Sequence, residues 1–254
     1  MNDHILTLAR KHAPCYLYEY DVMRRQVETL RQTFPRYDLL YSIKANPFPP
    51  VVRALAGLGL GADAASAPEV LLSRRCGMAR EDIFFSAAGK SNAALEAAWD
   101  EGEIIADSLG EVARIGALCE KKGQHRAIGV RMNPGFGMGG AAGGPSKFGI
   151  NEEDLPRLKA LLDTLPVMVE GIHVHLKSQN LDADVLGGCY RDSWALAKRV
   201  RDALGCGMRY VNFGSGVGVA YDEAFEQPMA LERLRTYTDA IAADNDATLR
   251  ARLM

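Results

Sequence analysis

The chain has 254 residues, a net charge of −2 and 48% apolar residues, which is typical of a globular protein with one large or two small domains. It has no basic block and no apolar run near the roughly 20 residues of a membrane span, so we expect neither nucleic-acid nor membrane partners. Five cysteines are scattered without a C-x-x-C pair, which predicts no zinc site, no disulfide framework and a cytoplasmic protein with reduced thiols.

Helical and strand patterns alternate along most of the chain. An aromatic-rich run predicts a strand over Cys15–Tyr20, and a helix over Asp21–Phe34 follows with Asp21 as its N-cap. The next predicted strands are Leu39–Ile43, Leu60–Ala64, Ile83–Ala87, Glu103–Ala106, Ala127–Met132, Met168–Leu176 and Tyr210–Phe213. The helices predicted after them are Pro50–Gly57, Ala67–Cys76, Asn92–Glu101, Leu109–Lys122, Glu152–Leu165, Ala183–Leu204 and Pro228–Asp244. Two of these helices begin with capping boxes, Ser66-x-x-Glu69 and Ser108-x-x-Glu111.

Consecutive strand–helix units indicate a parallel sheet with helices outside. A doubly wound open sheet and a (β/α)8 barrel both fit this alternation. The absence of G-x-G-x-x-G after the first strand weakens the dinucleotide-binding version of the open sheet. The glycine-rich segment Gly135–Gly144 predicts a mobile loop, with a lid over a site as the sharper alternative.

Polar residues end most of the predicted strands. In a barrel the reacting groups lie at these carboxyl ends. The residues there are Lys44, Asp63, Ser86, Asp107, Asn133, His175 and the glycine turn after Phe213. Any one of them is unremarkable at an exposed strand end, but an isolated lysine, a histidine and a glycine turn together favour a site.

Three of these features fit one cofactor. The turn Gly214-Ser215-Gly216 can bring backbone N–H groups close to a phosphate, although a plain tight turn is equally compatible with it. His173 and His175 share a strand face, and because no carboxylate or cysteine accompanies them, stacking on a flat ring is favoured over metal binding. A lysine nucleophile completes a set that suggests pyridoxal phosphate, with Lys44 as the Schiff-base lysine.

These motifs resemble the fold-type III pyridoxal phosphate-dependent decarboxylases, the diaminopimelate/ornithine/arginine decarboxylase family. The resemblance extends from about Cys15 to Tyr221 as an ordered set. The segments that carry it are Tyr41–Pro47, Gly61–Ser66 with Glu69, Gly89–Ser91, Arg131–Gly135, Ser146–Ile150, His173–His175 with Ser178-Gln179, and Gly214–Gly216. It implies a TIM-like barrel of the alanine racemase type and decarboxylation of an amino acid.

The resemblance also implies residue roles. Lys44 would carry the cofactor and His175 would stack on its ring. Asp63 would lie near the lysine and the substrate amine. Ser178 and the turn Gly214-Ser215-Gly216 would hold the phosphate.

The sequence departs from the family at two places. Lys177 stands where the family usually has glycine. Family members also continue into an E-P-G-R-like strand and a β-rich domain, whereas this sequence stops at Met254. We therefore expect residues 1–254 to form a pyridoxal phosphate-binding barrel domain that lacks its last strand and the C-terminal β domain. A homodimer or a partner chain would then complete the site.

The substrate and the activity leave alternatives open. A free diamino acid such as diaminopimelate is expected first, and an amino acid attached to a carrier or conjugate is the other possibility. The rival functions are a fold-type III racemase, a single-domain pyridoxal phosphate-binding protein of cofactor homeostasis, and an inactive homologue.

Overall fold

The computed structural model describes residues 3–222, 227–244 and 250–253, the last stretch by its backbone only. The strands are β1 (Tyr37–Ser42), β2 (Gly61–Ala64), β3 (Ile83–Phe85), β4 (Glu103–Ala106), β5 (Arg126–Asn133), β6 (Ile150–Asn151), β7 (Val167–His173), β8 (Tyr210–Asn212) and β9 (Arg250–Leu253). The helices are α1 (Asp3–His12), α2 (Tyr20–Thr33), α3 (Pro49–Gly57), α4 (Ala67–Arg75), α5 (Asn92–Ala98), α6 (Leu109–Lys122), α7 (Leu155–Leu162), α8 (Ala183–Leu204) and α9 (Leu231–Ala243).

The strands form a closed parallel barrel. Within the described residues, the pairing runs from β1 through β2, β3 and β4 to β5, and then through β7, β8 and β9 back to β1. The two-residue strand β6 pairs with β5 alone and lies outside this ring. The predicted barrel class is therefore confirmed, and the open doubly wound alternative is wrong.

The expected absence of the last strand needs correction. Arg250–Leu253 pairs in parallel with β1, where Tyr37 lies opposite Ala251, and with β8, where Tyr210 lies opposite Arg250. A four-residue strand is too short to show a period of its own, so only its two neighbours identify it. The described backbone thus supplies the barrel's eighth strand.

Both predicted capping boxes form, at the starts of α4 and α6. Ser66 Oγ accepts the Glu69 N–H at the start of α4, and Ser108 Oγ accepts the Glu111 N–H at the start of α6. Each glutamate carboxylate turns back to accept the N–H of the residue before the cap, Ala65 or Asp107. Both helices are thereby fixed directly after the strands that carry site residues.

The amino-terminal prediction is wrong in part. Cys15–Glu19 belongs to no helix or strand, and α2 begins at Tyr20 with Glu19, not Asp21, as its N-cap. Aromatic composition favours a strand only where another strand offers backbone partners, which the described residues do not provide here. The helix α1 was not predicted, and it has no buried residue.

An apolar layer fills the barrel interior below the site. It consists of Leu40, Phe84, Ile105 and Tyr210. The neighbouring strands carry Gly129 and Gly171 at this level, where an added Cβ would lie within 2.4 Å of the Tyr210 side chain. Because alternate residues of a strand face the same side, the residues two positions further on form the next interior level. That level is polar and comprises Ser42, Ser86, Asp107, Arg131, His173 and Asn212.

The glycine-rich segment after β5 has a defined backbone. Gly137 N–H donates to Ala141 O at 2.8 Å, and Gly143 N–H donates to Gly135 O at 2.9 Å. The Sγ of Cys189 in α8 lies 3.3 Å from the Sδ of Met138, which places the segment against α8. The predicted loop is thus internally hydrogen-bonded, and its motion stays a prediction. Within the described residues no helix is long and apolar enough to cross a membrane.

Candidate functional site

Lys44 lies directly beyond β1, at the carboxyl end of the barrel. It belongs to the short 3-10 turn Ile43–Ala45, in which Ile43 is buried and Lys44 is exposed. The turn is held by Asn46, whose side-chain oxygen accepts the Phe48 N–H at 3.0 Å and whose carbonyl accepts the Tyr41 hydroxyl at 3.2 Å. Among the described residues, the Lys44 ammonium forms neither a hydrogen bond nor a direct ion pair, so it is available to a ligand.

Asp63 is brought next to this lysine by strand pairing. It is 2% exposed, and it lies opposite Ser42 across the β1–β2 pair. Its carboxylate accepts a short hydrogen bond from the Ser86 hydroxyl. Burial raises the pKa of Asp63, and the Ser86 hydrogen bond and the Lys44 charge oppose that rise.

His175 is fixed by contacts from two loops. It lies two residues beyond the end of β7, not within the strand as predicted, and it is partly buried. Its Nδ1 lies 2.9 Å from Gly214 O, and its Nε2 lies 3.2 Å from Ser178 Oγ. Burial lowers the pKa of His175, which favours the neutral ring. Because a carbonyl only accepts, Nδ1 carries the proton, and Nε2 accepts the Ser178 hydroxyl.

The glycine turn after β8 has the geometry of an anion cradle. Gly214, Ser215 and Gly216 have φ values of +63°, +52° and +85°. An added Cβ on Gly214 would lie 2.6 Å from Val174 O, and one on Gly216 would lie 2.5 Å from Lys177 O. No described residue accepts the N–H of Ser215 or Gly216, whereas Gly214 N–H donates to Asn212 Oδ1 at 2.9 Å. Two free N–H groups therefore remain at the turn.

The turn is also locked to the loop after β7. Asn180 N–H donates to Gly216 O at 2.9 Å, and Gly218 N–H donates to Asn180 O at 2.8 Å. The Gln179 amide bonds both backbone groups of Val219 at 2.9 Å. These contacts hold Ser178 and the turn at one rim of the barrel.

His173 is buried below His175. It is 3% exposed, and the two ring centroids are 6.4 Å apart. Burial lowers the pKa of His173 well below its usual range, and the charge of Arg131 lowers it further. Neither ring nitrogen has a hydrogen-bond partner among the described residues.

Arg131 connects the site to the loop that follows β5. Its guanidinium lies 3.3 Å from Asp107 Oδ1 and 4.8 Å from the Phe148 ring centroid. Asp107 Oδ2 also accepts the Gly149 N–H at 3.2 Å. The Ser146–Ile150 segment is thereby tied to the barrel mouth.

The sequence-predicted site residues thus fall at one end of the barrel. His175 contacts both Ser178 and Gly214 directly, and Asp63 is opposite the strand end that leads to Lys44. The charge of Lys44 affects the pKa of Asp63, His173 and His175, so the ammonium lies near all three. Sequence reasoning did not assign roles to Arg131, His173 and Asn212. The sequence does hold a signal for them. Each lies two residues after the position at the level of the apolar layer on its strand (Gly129, Gly171 or Tyr210), and alternate residues of a strand face the same side.

Two other features lie apart from this site. A cavity of about 300 Å³ lies between the glycine-rich segment and α8, and its lining includes Asp184, Asp192 and Tyr237 but none of the predicted site residues. Among the described residues there is no group of three or more His, Cys, Asp or Glu side chains that could hold a metal ion.

Comparison with known proteins gives one consistent family. The family model described as pyridoxal-dependent decarboxylase, pyridoxal binding domain, matches residues 20–251. The chain is 31% identical over 246 residues to the L-glutamyl-[BtrI acyl-carrier protein] decarboxylase of Niallia circulans, covering 93% of this chain and 57% of the relative. It is 28% identical over 233 residues to the diaminopimelate decarboxylase of Aquifex aeolicus, covering 85% of this chain and 53% of the relative.

Solved structures show the same fold. The diaminopimelate decarboxylase of Helicobacter pylori complexed with L-lysine superposes with a TM-score of 0.84 at 23% identity, over 99% of this chain and 65% of that one. The AQ1208 protein of Aquifex aeolicus superposes with a TM-score of 0.82 at 25% identity, over 98% of this chain and 59% of that one. The chain therefore spans somewhat more than half the length of these relatives.

Proposed function

Because the chain belongs to the pyridoxal-dependent decarboxylase family through its pyridoxal-binding domain, we propose that it binds pyridoxal phosphate at Lys44 and serves the decarboxylation of an amino acid. The observation that carries the proposal is that Lys44 lies at the same barrel end as the His175–Gly214 contact and the turn, where the described residues bond neither its ammonium nor the N–H groups of Ser215 and Gly216. The named relatives are decarboxylases, so the racemase and cofactor-homeostasis alternatives are not favoured.

The residues present fit this cofactor. A phosphate needs several hydrogen-bond donors, and the turn offers the N–H groups of Ser215 and Gly216, which no described residue accepts. Position 216 requires glycine, because a Cβ there would collide with Lys177 O. The Ser178 hydroxyl lies on the same rim and can turn its proton from His175 Nε2 to a phosphate oxygen.

Each side chain then has a defined task. Lys44 attaches the cofactor, which requires its amine to be unprotonated at the moment of attack. His175 presents a ring whose tilt is fixed by the hydrogen bond from its Nδ1–H to Gly214 O. Asp63 accepts the Ser86 hydroxyl and faces the substrate amine from a buried position. When bound, pyridoxal phosphate supplies the electron sink for the pair left on Cα as the carboxylate departs.

The charge at the barrel mouth bears on the substrate. Lys147 and Lys177 are exposed, and no described carboxylate pairs with either ammonium. Lys147 Nζ lies only over the Phe148 ring, 5.0 Å from its centroid. Two unneutralised cations favour a substrate that carries an additional anionic group. We propose an amino acid of the diaminopimelate type or one attached to a carrier, as the names of the relatives suggest.

We also propose that residues 1–254 form one barrel domain whose site is completed from outside it, in a homodimer or by a partner chain. The cytoplasm is the proposed location. Completion of the site from outside residues 1–254 is supported by the relatives, which extend well beyond the matched region. On its own, the 254-residue chain should bind the cofactor weakly and release little CO2.

The test is substitution of the attachment residue. Lys44→Ala should abolish both the visible absorption of bound pyridoxal phosphate and the covalent labelling that borohydride reduction makes permanent. Lys121→Ala is the matched control, because Lys121 is exposed and pairs with Glu96 on the outer surface. CO2 release from free and carrier-linked amino acids would then identify the substrate. Cofactor labelling that survives Lys44→Ala would refute the assignment of Lys44.

A further inference from the structure

His173 is a buried histidine with no function assigned in the proposed mechanism. It ends β7 and lies opposite Arg131 of β5 and Asn212 of β8. It therefore belongs to the polar interior level directly above the apolar layer, towards the carboxyl end of the barrel where Lys44 lies.

Its hydrogen-bonding capacity is unused. The imidazole is 3% exposed, and neither Nδ1 nor Nε2 has a partner among the described residues. The Nδ2 of the adjacent Asn212 is also unpartnered, while its Oδ1 is held by Gly214 N–H. Buried polar groups are normally hydrogen-bonded, so adjacent unpaired groups facing a site indicate that a ligand or water completes them.

The charges around His173 specify the kind of ligand group. Arg131, His175, Lys44 and Lys90 all act against protonation of the ring. The neutral ring carries one N–H donor, and among the cations that act on it Lys44 forms no direct ion pair with a described carboxylate. An anionic oxygen is the complementary partner for that donor.

We propose that His173 is a cofactor-contacting residue, whose ring N–H donates a hydrogen bond to the phenolic oxygen of pyridoxal phosphate. This oxygen is on the ring carbon next to the one bearing the aldehyde, so it is the polar group closest to the attachment point at Lys44. Asn212 Nδ2 supports the same oxygen or orients the ring. The inference rests on the proposed cofactor site and adds a residue to it.

The experiment compares two cofactors on three proteins. Dissociation constants for pyridoxal 5′-phosphate and for 3-deoxypyridoxal 5′-phosphate, which lacks the phenolic oxygen, are measured on wild type, His173→Leu and His173→Asn. Wild type should prefer the complete cofactor by about tenfold or more, as one charge-assisted hydrogen bond provides. His173→Leu should remove this preference and leave the affinity for the deoxy analogue unchanged. His173→Asn retains a donor and should keep part of the preference.

A purely structural histidine would weaken both cofactors equally. His125→Leu is the control, because His125 is exposed. The absorption of the bound cofactor gives a second readout, since loss of the donor should shift it towards the un-ionised phenol. If His173→Leu does not fold, the ratio of the two dissociation constants measured on His173→Asn tests the inference instead. An unchanged preference in a folded variant overturns the inference alone, whereas a wild type that binds neither compound overturns the cofactor site as well.

Discussion

At the scale of single residues, backbone conformation matters more than side-chain chemistry at the glycine turn. Gly214 has φ +63°, and a Cβ added to it would lie 2.6 Å from Val174 O and 2.8 Å from the His175 side chain. Residues with a Cβ rarely adopt this conformation, and here the space is also filled. The glycine lets the chain turn while its carbonyl accepts the His175 Nδ1–H. One residue therefore shapes the turn proposed to hold the phosphate and orients His175.

We expect Gly214→Ala to destabilise the fold by about 1–3 kcal/mol through backbone strain and the close contacts. It should also weaken pyridoxal phosphate binding more than it weakens pyridoxal binding, because the phosphate cradle is displaced. Urea unfolding and cofactor titration measure the two effects. Gly207→Ala serves as the control, since nothing lies within 4 Å of a Cβ built there. Equal losses for the two variants would contradict this role of the turn.

At the scale of elements, a buried ion pair joins two strand ends to a helix. Lys90 is 2% and Glu111 1% exposed, with Nζ 2.9 Å from Oε1. The ammonium also donates to Ala87 O and Ile105 O, each at 2.6 Å, and so spans the ends of β3 and β4. Burial lowers the pKa of Lys90, and the Glu111 charge opposes that effect. The pair fixes α6, whose first turn holds the Asp107 backbone beside the site.

Removing one partner leaves the other charge buried and uncompensated. Lys90→Met should therefore cost about 3–5 kcal/mol of unfolding free energy. The double variant Lys90→Met with Glu111→Gln should recover much of this loss, because no isolated charge remains and the glutamine oxygen can still accept the Asp107 N–H. Lys121→Met, which breaks an exposed pair with Glu96, should cost about 0–1 kcal/mol. A double variant no more stable than the single one would show that the backbone contacts of Lys90 dominate.

At the scale of the whole molecule, stability depends on closing the ring of strands. Without β9, both β1 and β8 would have an unpaired edge, and the interior would open between them. The short strand pairs along three positions on each side. Closure therefore depends on few residues at the far end of the sequence from α1.

Ending the chain after residue 249 should consequently lower the melting temperature markedly. A loss of about 3 kcal/mol would correspond to about 6–12 °C for a protein of this size. Removing residues 1–12 is the contrasting deletion, since the helix α1 that it eliminates has no buried side chain. Thermal unfolding followed by circular dichroism compares the two. If both deletions had the same small effect, β9 would not be important for closure.

The sequence by itself determined the alternation of strands and helices and the family resemblance, and that resemblance implied the barrel class. It also predicted the set Lys44, Asp63, His175, Ser178 and the glycine turn as the candidate site. The alternation follows from apolar periodicity, capping boxes and strand ends, whereas the family and the candidate site follow from short motifs in a fixed order. Only the tertiary structure decided that Arg250–Leu253 closes the barrel, because a strand of four residues is defined by its neighbours. It likewise decided that His173 is buried without a partner, since burial depends on strands distant in the chain.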